Sequence, residues 1–207
     1  MRPPSRELPL PAKRLPTAAL VLYAMALGLG LGVGSAYVAL SGQYPIGAVR
    51  VGPWTSWPQT GSRDVDPYAR AIVARRADIP LATGEGLALV AAADSDGRPL
   101  DSACTYRVGN ITPQSRLWTL TLYDESDALV ATELERSGFT SSEILRGGDG
   151  GFLVTLSRDL QSGNWLKLPA AGRFTLTLRL YDTPATLGNG VIDPKSLPGI
   201  ERVECGA

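Results

Sequence analysis

The chain has 207 residues, 20 of them basic and 20 acidic, and it contains no histidine. Beyond the first 16 residues 16 basic stand against 19 acidic residues, a net charge of −3 that argues against nucleic-acid binding. The missing imidazole removes Ser-His-Asp and Cys-His nucleophile systems and histidine metal ligands. Arginine outnumbers lysine 17 to 3, a bias consistent with a GC-rich bacterial genome.

Residues 1–16 form a basic tail, with Arg2, Arg6, Lys13 and Arg14 against the single acid Glu7. Residues 17–40 follow without one charge. As a helix, 24 residues reach about 36 Å, enough to cross a hydrocarbon core of about 30 Å. Basic residues flank this span on one side only, since Arg50 is the first beyond it. The positive-inside rule then predicts a cytoplasmic N-terminus. The expected location is the inner (cytoplasmic) membrane, as a single-pass protein with a periplasmic C-terminal domain and the lipid bilayer as its first partner. A cleaved signal peptide is the rival reading, with Ala39-Leu40-Ser41 as a passable cleavage site. The apolar run exceeds the usual 7–15 residues of such peptides, which favours an uncleaved anchor.

Ala24, Gly28, Gly32 and Ala36 recur every fourth residue along the span. Stripes of small residues let two helices approach closely, so this is a candidate helix-packing face for a homo-oligomer. The alternative is that glycine is simply common in membrane spans. Tyr37 and Tyr44 suit the aromatic belt at the outer interface.

Residues 41–65 are rich in Gly and Pro and read as a linker or a docked arm. Trp54 and Trp57 within them point to docking on something apolar. Asp66 then stands as a helix cap with Pro67 in the first turn, predicting a short helix over 67–76. Residues 66–207 read as one extracytoplasmic domain.

From residue 86 the apolar period changes to two. Leu87 to Ala93 is an apolar run closed by the turn Asp94-Ser95-Asp96-Gly97. Cys104, Tyr106 and Val108 alternate with polar residues, as do Trp118, Leu120 and Leu122, and Phe152, Val154 and Leu156. The clearest strand is Arg173 to Asp182. Phe174, Leu176, Leu178 and Leu180 share one face, and Arg173, Thr175, Thr177, Arg179 and Tyr181 the other. One buried and one wet face are the mark of antiparallel sheets. The expected class is therefore mainly β: an antiparallel β-sandwich with one short helix, preceded by a single N-terminal transmembrane helix.

Cys104 and Cys205 both lie beyond the span. Two thiols in an oxidising compartment predict a disulfide, and no CxxC or neighbouring base marks a reactive thiol. Asp94, Asp96 and Asp101 raise the idea of a calcium loop. Gly97 comes too early and no matching Glu follows, so a turn is the better reading and no metal site is predicted. Ser-Lys chemistry is unsupported, because neither Lys167 nor Lys195 stands in an SxxK. Paired carboxylates remain open, because 19 acids follow the span. No catalytic residue and no cofactor is assigned.

Several short motifs together resemble the bacterial domain-of-unknown-function family 1214, in its short membrane-anchored branch. They are Asp66-Pro67-Tyr68-Ala69-Arg70-Ala71, Asp96-Gly97-Arg98-Pro99-Leu100, the run from Arg116 to Asp124, Asn164-Trp165-Leu166, Leu178 to Pro184, and the ending from Leu197 to Cys205. The resemblance implies a β-sandwich without an assigned activity. Larger relatives join this domain to a second one, family 1254, so a membrane protein carrying that second domain is the implied partner.

The candidate binding residues are Arg116, Trp118, Asn164, Trp165, Arg179 and Tyr181. Trp with Asn and Arg suits a planar or sugar-like ligand, whereas the plainer alternative has Trp165 capping the core and the Asn164 amide holding a loop. The favoured reading is a membrane-anchored envelope module that binds a protein partner, through the face with Arg173, Arg179 and Tyr181 or the arm with Trp54 and Trp57. The alternatives are a binder of a small glycan or lipid in a Trp-lined cleft and a carboxylate-dependent hydrolase.

Overall fold

The computed structural model describes residues 16–41, 47–75, 79–82, 84–109, 111, 114–130, 132, 135–184 and 192–206. Tyr44, Glu7 and the basic residues Arg2, Arg6, Lys13 and Arg14 lie outside them. The chain divides into two compact units, residues 1–43 and 44–207.

In the first unit, Thr17–Ser41 form helix α1, without an acid in its first turn or a base in its last. Its apolar side chains are exposed, with Leu29, Leu31 and Val38 each over 70% accessible. The helix is long and apolar enough to cross a membrane; a signal sequence near an N-terminus meets the same test. A Cβ built on Gly28 or Gly32 would meet nothing within 4 Å, so the small-residue stripe is open along the helix.

The second unit is a two-sheet sandwich. Its strands are β1 (Val49–Val51), β2 (Trp54–Ser56), β3 (Gly86–Ala91), β4 (Cys104–Gly109), β5 (Leu117–Asp124), β6 (Gly138–Thr140), β7 (Leu153–Ser157), β8 (Asn164–Lys167), β9 (Phe174–Tyr181) and β10 (Gly199–Cys205). Six strands make one sheet in the order β1-β2-β3-β9-β5-β6, and four make the other in the order β10-β4-β7-β8. The larger sheet is antiparallel throughout. The smaller one is mixed, because β7 and β8 run parallel. Expectation and structure part here. Parallel neighbours normally need a long crossover, but residues 158–163 suffice for strands of five and four residues at the sheet edge.

The core lies between the sheets and follows the period-two pattern. Leu87, Leu89 and Ala91 of β3, Trp118, Leu120 and Leu122 of β5, and Phe174, Leu176, Leu178 and Leu180 of β9 are all buried. Tyr106, Val108, Val154, Leu156, Leu166 and Ile200 of the smaller sheet belong to the same cluster. Trp118 packs on Phe152 with ring centroids 4.6 Å apart, and Tyr106 meets Phe174 edge-on at 5.6 Å. Such pairs add about 0.5–1.5 kcal/mol beyond their buried area.

Within the stretch expected to be a linker or a docked arm, residues 49–56 form a hairpin on the edge of the larger sheet, turning through Gly52 at φ 59° and Pro53. Glycine first, with positive φ, is what a type II′ turn requires. Trp54 is fully buried, and its Nε1 donates to the Pro198 carbonyl at 2.7 Å. Trp54 is therefore a core residue and cannot serve in the contact surface considered for the arm. Helix α2 (Pro67–Arg75) is capped by the Asp66 carboxylate, which accepts from Tyr68 N at 3.0 Å and Ala69 N at 3.1 Å.

Candidate functional site

The six candidate binding residues fall in four places. Trp118 is only 1% exposed and belongs to the core. Asn164 and Trp165 are successive residues of β8 and so face opposite sides of the sheet. The Asn164 amide is buried and used up. It accepts from Leu145 N at 2.8 Å and donates to the carbonyls of Leu145 and Leu153 at 2.8 and 2.9 Å. Trp165 lies half-buried on the outer face, and its Nε1 donates to the Ser157 carbonyl at 3.1 Å. A single cleft lined by Trp118 and Trp165 is thus not formed, because their strands bury and expose them respectively.

Arg179, on the outer face of β9, is half-buried and turned toward Tyr123 of β5. Its Nη1 donates to the tyrosine hydroxyl at 3.1 Å, and the guanidinium carbon stands 5.8 Å from the ring centre. This cation–π contact makes it a supported side chain rather than a free one.

Arg116 and Tyr181 do come together, at the end of the larger sheet where β9 finishes and β3 and β5 begin. With Leu81, Gly84, Glu85 and Asp182 they line a cleft of about 400 Å³. Backbone bonds set its shape: Arg116 N donates to the Tyr181 carbonyl at 3.1 Å, and Asp182 N to the Glu85 carbonyl at 2.9 Å. Asp182 adopts φ 51°, a left-handed conformation that Asp tolerates better than most residues. Its carboxylate lies 3.4 Å from Arg116 Nε, both side chains being more than 70% exposed. Arg116 therefore stands outside the core. Neither Asp182 nor Glu85 is a candidate from the sequence, although Asp182 lies within the Leu178–Pro184 motif.

A second polar cluster was read only as a turn. Asp94 is buried, and its Oδ2 lies 3.0 Å from the Nε atoms of both Arg98 and Arg202. Its Oδ1 accepts from the backbone of Asp96 at 3.1 Å and of Arg98 at 2.9 Å. Burial alone would push this carboxyl up. The Arg98 backbone bond and the Arg98 and Arg202 charges outweigh it and hold the group below its ordinary value. Asp124 is also held low, by bonds from Ser126 and the Ala128 backbone. Neither is the raised carboxyl that a general acid needs. No group of three or more potential ligands stands together among the described residues. Arg202 also lies over the Tyr106 ring at 5.4 Å and donates to the Pro99 carbonyl at 2.6 Å. The cluster fastens β10 to the 94–99 turn.

Cys104 and Cys205 are directly opposite on β4 and β10 and are joined by a disulfide that spans 101 positions of sequence.

Residues 85–185 match the model of the family described as a protein of unknown function, DUF1214. The chain is similar in fold to the VPA0106 protein from Vibrio parahaemolyticus, at 20% identity and a TM-score of 0.55 over 68% of this chain and 36% of that one. An uncharacterized protein from Burkholderia cenocepacia aligns at 17% identity and a TM-score of 0.44, over 89% of this chain and 53% of that one. The chain thus spans about a third to a half of these solved structures. No curated protein matches it.

Proposed function

We propose that this chain, whose residues 85–185 are a DUF1214 domain, is a membrane-tethered extracytoplasmic module that works by binding a protein partner. The observation that carries this reading is the open cleft of Arg116, Tyr181 and Asp182. Arg116 and Asp182 are exposed and Tyr181 is half-buried, at a sheet end instead of around an enclosed reacting centre. An exposed ion pair such as Arg116–Asp182 contributes only about 0–1 kcal/mol, so a partner's charges can replace it at little cost. Tyr181 supplies the rigid aromatic area that protein interfaces favour.

The natural partner is a membrane protein carrying a family 1254 domain, the companion that the resemblance implies. Two proteins held in one membrane meet at a raised effective concentration. The open stripe of Ala24, Gly28, Gly32 and Ala36 offers a route for α1 to pair with another span, a second copy of this chain included.

Two experiments test this. In full-length protein, Arg116→Ala with Tyr181→Ala should reduce capture of a crosslinked membrane partner at least tenfold. Arg116→Ala alone should keep stability within about 0.5 kcal/mol, as at other exposed positions, and should by itself weaken capture, whereas removing the half-buried Tyr181 costs more. Unchanged capture, or turnover of a glycan or ester by the purified protein, would overturn the proposal. Separately, a reporter that works only outside the cytoplasm, fused after the last residue, should be active; an inactive, normally expressed fusion would reverse the orientation.

A further inference from the structure

The outer face of the four-stranded sheet carries one row of side chains whose order follows from strand register. Trp165 of β8 is paired with Thr155 of β7, Thr155 with Arg107 of β4, and Arg107 with Glu201 of β10. All four point away from the core, because their neighbours Leu166, Val154, Leu156, Tyr106, Val108 and Ile200 are buried in it. Three strand gaps of about 4.8 Å make the row about 14 Å long.

Each member offers a different contact. Trp165 presents an aromatic ring, and the bond from its Nε1 to the Ser157 carbonyl limits the ring's freedom. The Thr155 hydroxyl both donates and accepts, the exposed Arg107 guanidinium only donates, and the exposed Glu201 carboxylate only accepts. Arg107 and Glu201 are cross-strand neighbours of opposite charge.

We propose that this row binds a glycan strand laid across the sheet, with one sugar ring stacked on Trp165 and its neighbours' hydroxyls on Thr155, Arg107 and Glu201. An apolar ligand would desolvate the Thr155 hydroxyl and leave the Arg107 and Glu201 charges with only each other as partners. A polyanion would meet the Glu201 charge. A polyhydroxylated chain donates and accepts along its length and carries an apolar C–H face for the ring, so it satisfies every position of the row. The proposal is independent of the protein-binding cleft, which lies on the other sheet.

Affinity electrophoresis of the full chain in a zwitterionic, sugar-free detergent tests it, with gels containing the uncharged glycans dextran, soluble chitin oligomers or hydroxyethyl cellulose, and polyphosphate as the charged control. At least one of the three glycans should retard the protein. Trp165→Ala should weaken that retardation at least tenfold, Trp165→Phe less, and Arg107→Gln at least threefold, while Arg116→Ala in the cleft should leave it unchanged. Retardation by no glycan overturns the proposal. So does equal retardation by polyphosphate, or undiminished glycan binding by Trp165→Phe and Arg107→Gln together. The last pair also decides the matter if Trp165→Ala fails to fold.

Discussion

Replacing Asp94 with alanine is expected to destabilise the sandwich by about 3 kcal/mol, the low end for breaking a buried ion pair. The low end applies because the two arginines fare differently. Arg98 is half-exposed and can turn to water, whereas Arg202 is only 18% exposed and would keep its charge beside the Tyr106 ring without a counter-ion. The backbone N–H groups of Asp96 and Arg98 would also lose their acceptor. Asp94→Asn keeps that acceptor and should lose less. The two variants separate charge from hydrogen bonding in chemical denaturation. Because the folded carboxyl is held below its ordinary value of 3.8, its contribution is complete above that value and fades as pH falls through the lowered one. The stability gap between the natural chain and Asp94→Asn should therefore shrink in acid below about pH 4. A gap that is constant from pH 7 to pH 2 would show that folding leaves the Asp94 carboxyl at its ordinary value, so that the arginines beside it do not favour its charged form.

Breaking the Cys104–Cys205 bond, by reduction or by Cys205→Ser, should cost up to about 4.7 kcal/mol, the chain-entropy limit for a loop of about 100 residues. The bond ties β10, an edge strand, to β4. Strand β10 has further holds: the Arg202–Asp94 contact, Ile200 N on the Ser95 hydroxyl at 2.9 Å, and the Trp54 bond to Pro198 just before it. The reduced domain should thus remain folded while β10 exchanges its amides sooner, as hydrogen exchange would report. Cys205→Ser combined with Asp94→Ala should depart from additivity, since both act on one strand. Strict additivity would mean that the two fastenings act independently.

Much of this architecture is legible in one dimension because burial on a strand alternates. Phe174, Leu176, Leu178 and Leu180 name the inner face of β9 before any partner strand is known, and the same holds for Trp118 to Leu122 of β5. Uncharged residues 17–40 specify a helix of membrane length, and Asp66-Pro67 specify where α2 starts, because both are local effects of backbone and side-chain chemistry.

Short strands escape such reading. Residues 49–51, 54–56 and 138–140 are three residues each, too few to show a period, and the Gly52-Pro53 turn looks like linker composition. Strand β10 carries Glu201, Arg202, Val203 and Glu204 in succession and becomes a strand only because β4 and a disulfide hold it. The candidate sites depend still more on contacts distant in sequence. Arg116 and Tyr181 meet at a cleft because β5 and β9 are neighbours, whereas Asn164 and Trp165, adjacent in sequence, are separated by the sheet itself. Asp94 is the turn residue that its sequence implies, but its ion pair with Arg202, more than 100 positions away, exists only in the fold. Local periodicity and composition are enough to specify the membrane-length helix, the β class and most inward-facing residues. Strand order, the parallel pair and which polar side chains share a surface emerge on folding, because they depend on pairing between segments whose attraction no local pattern encodes.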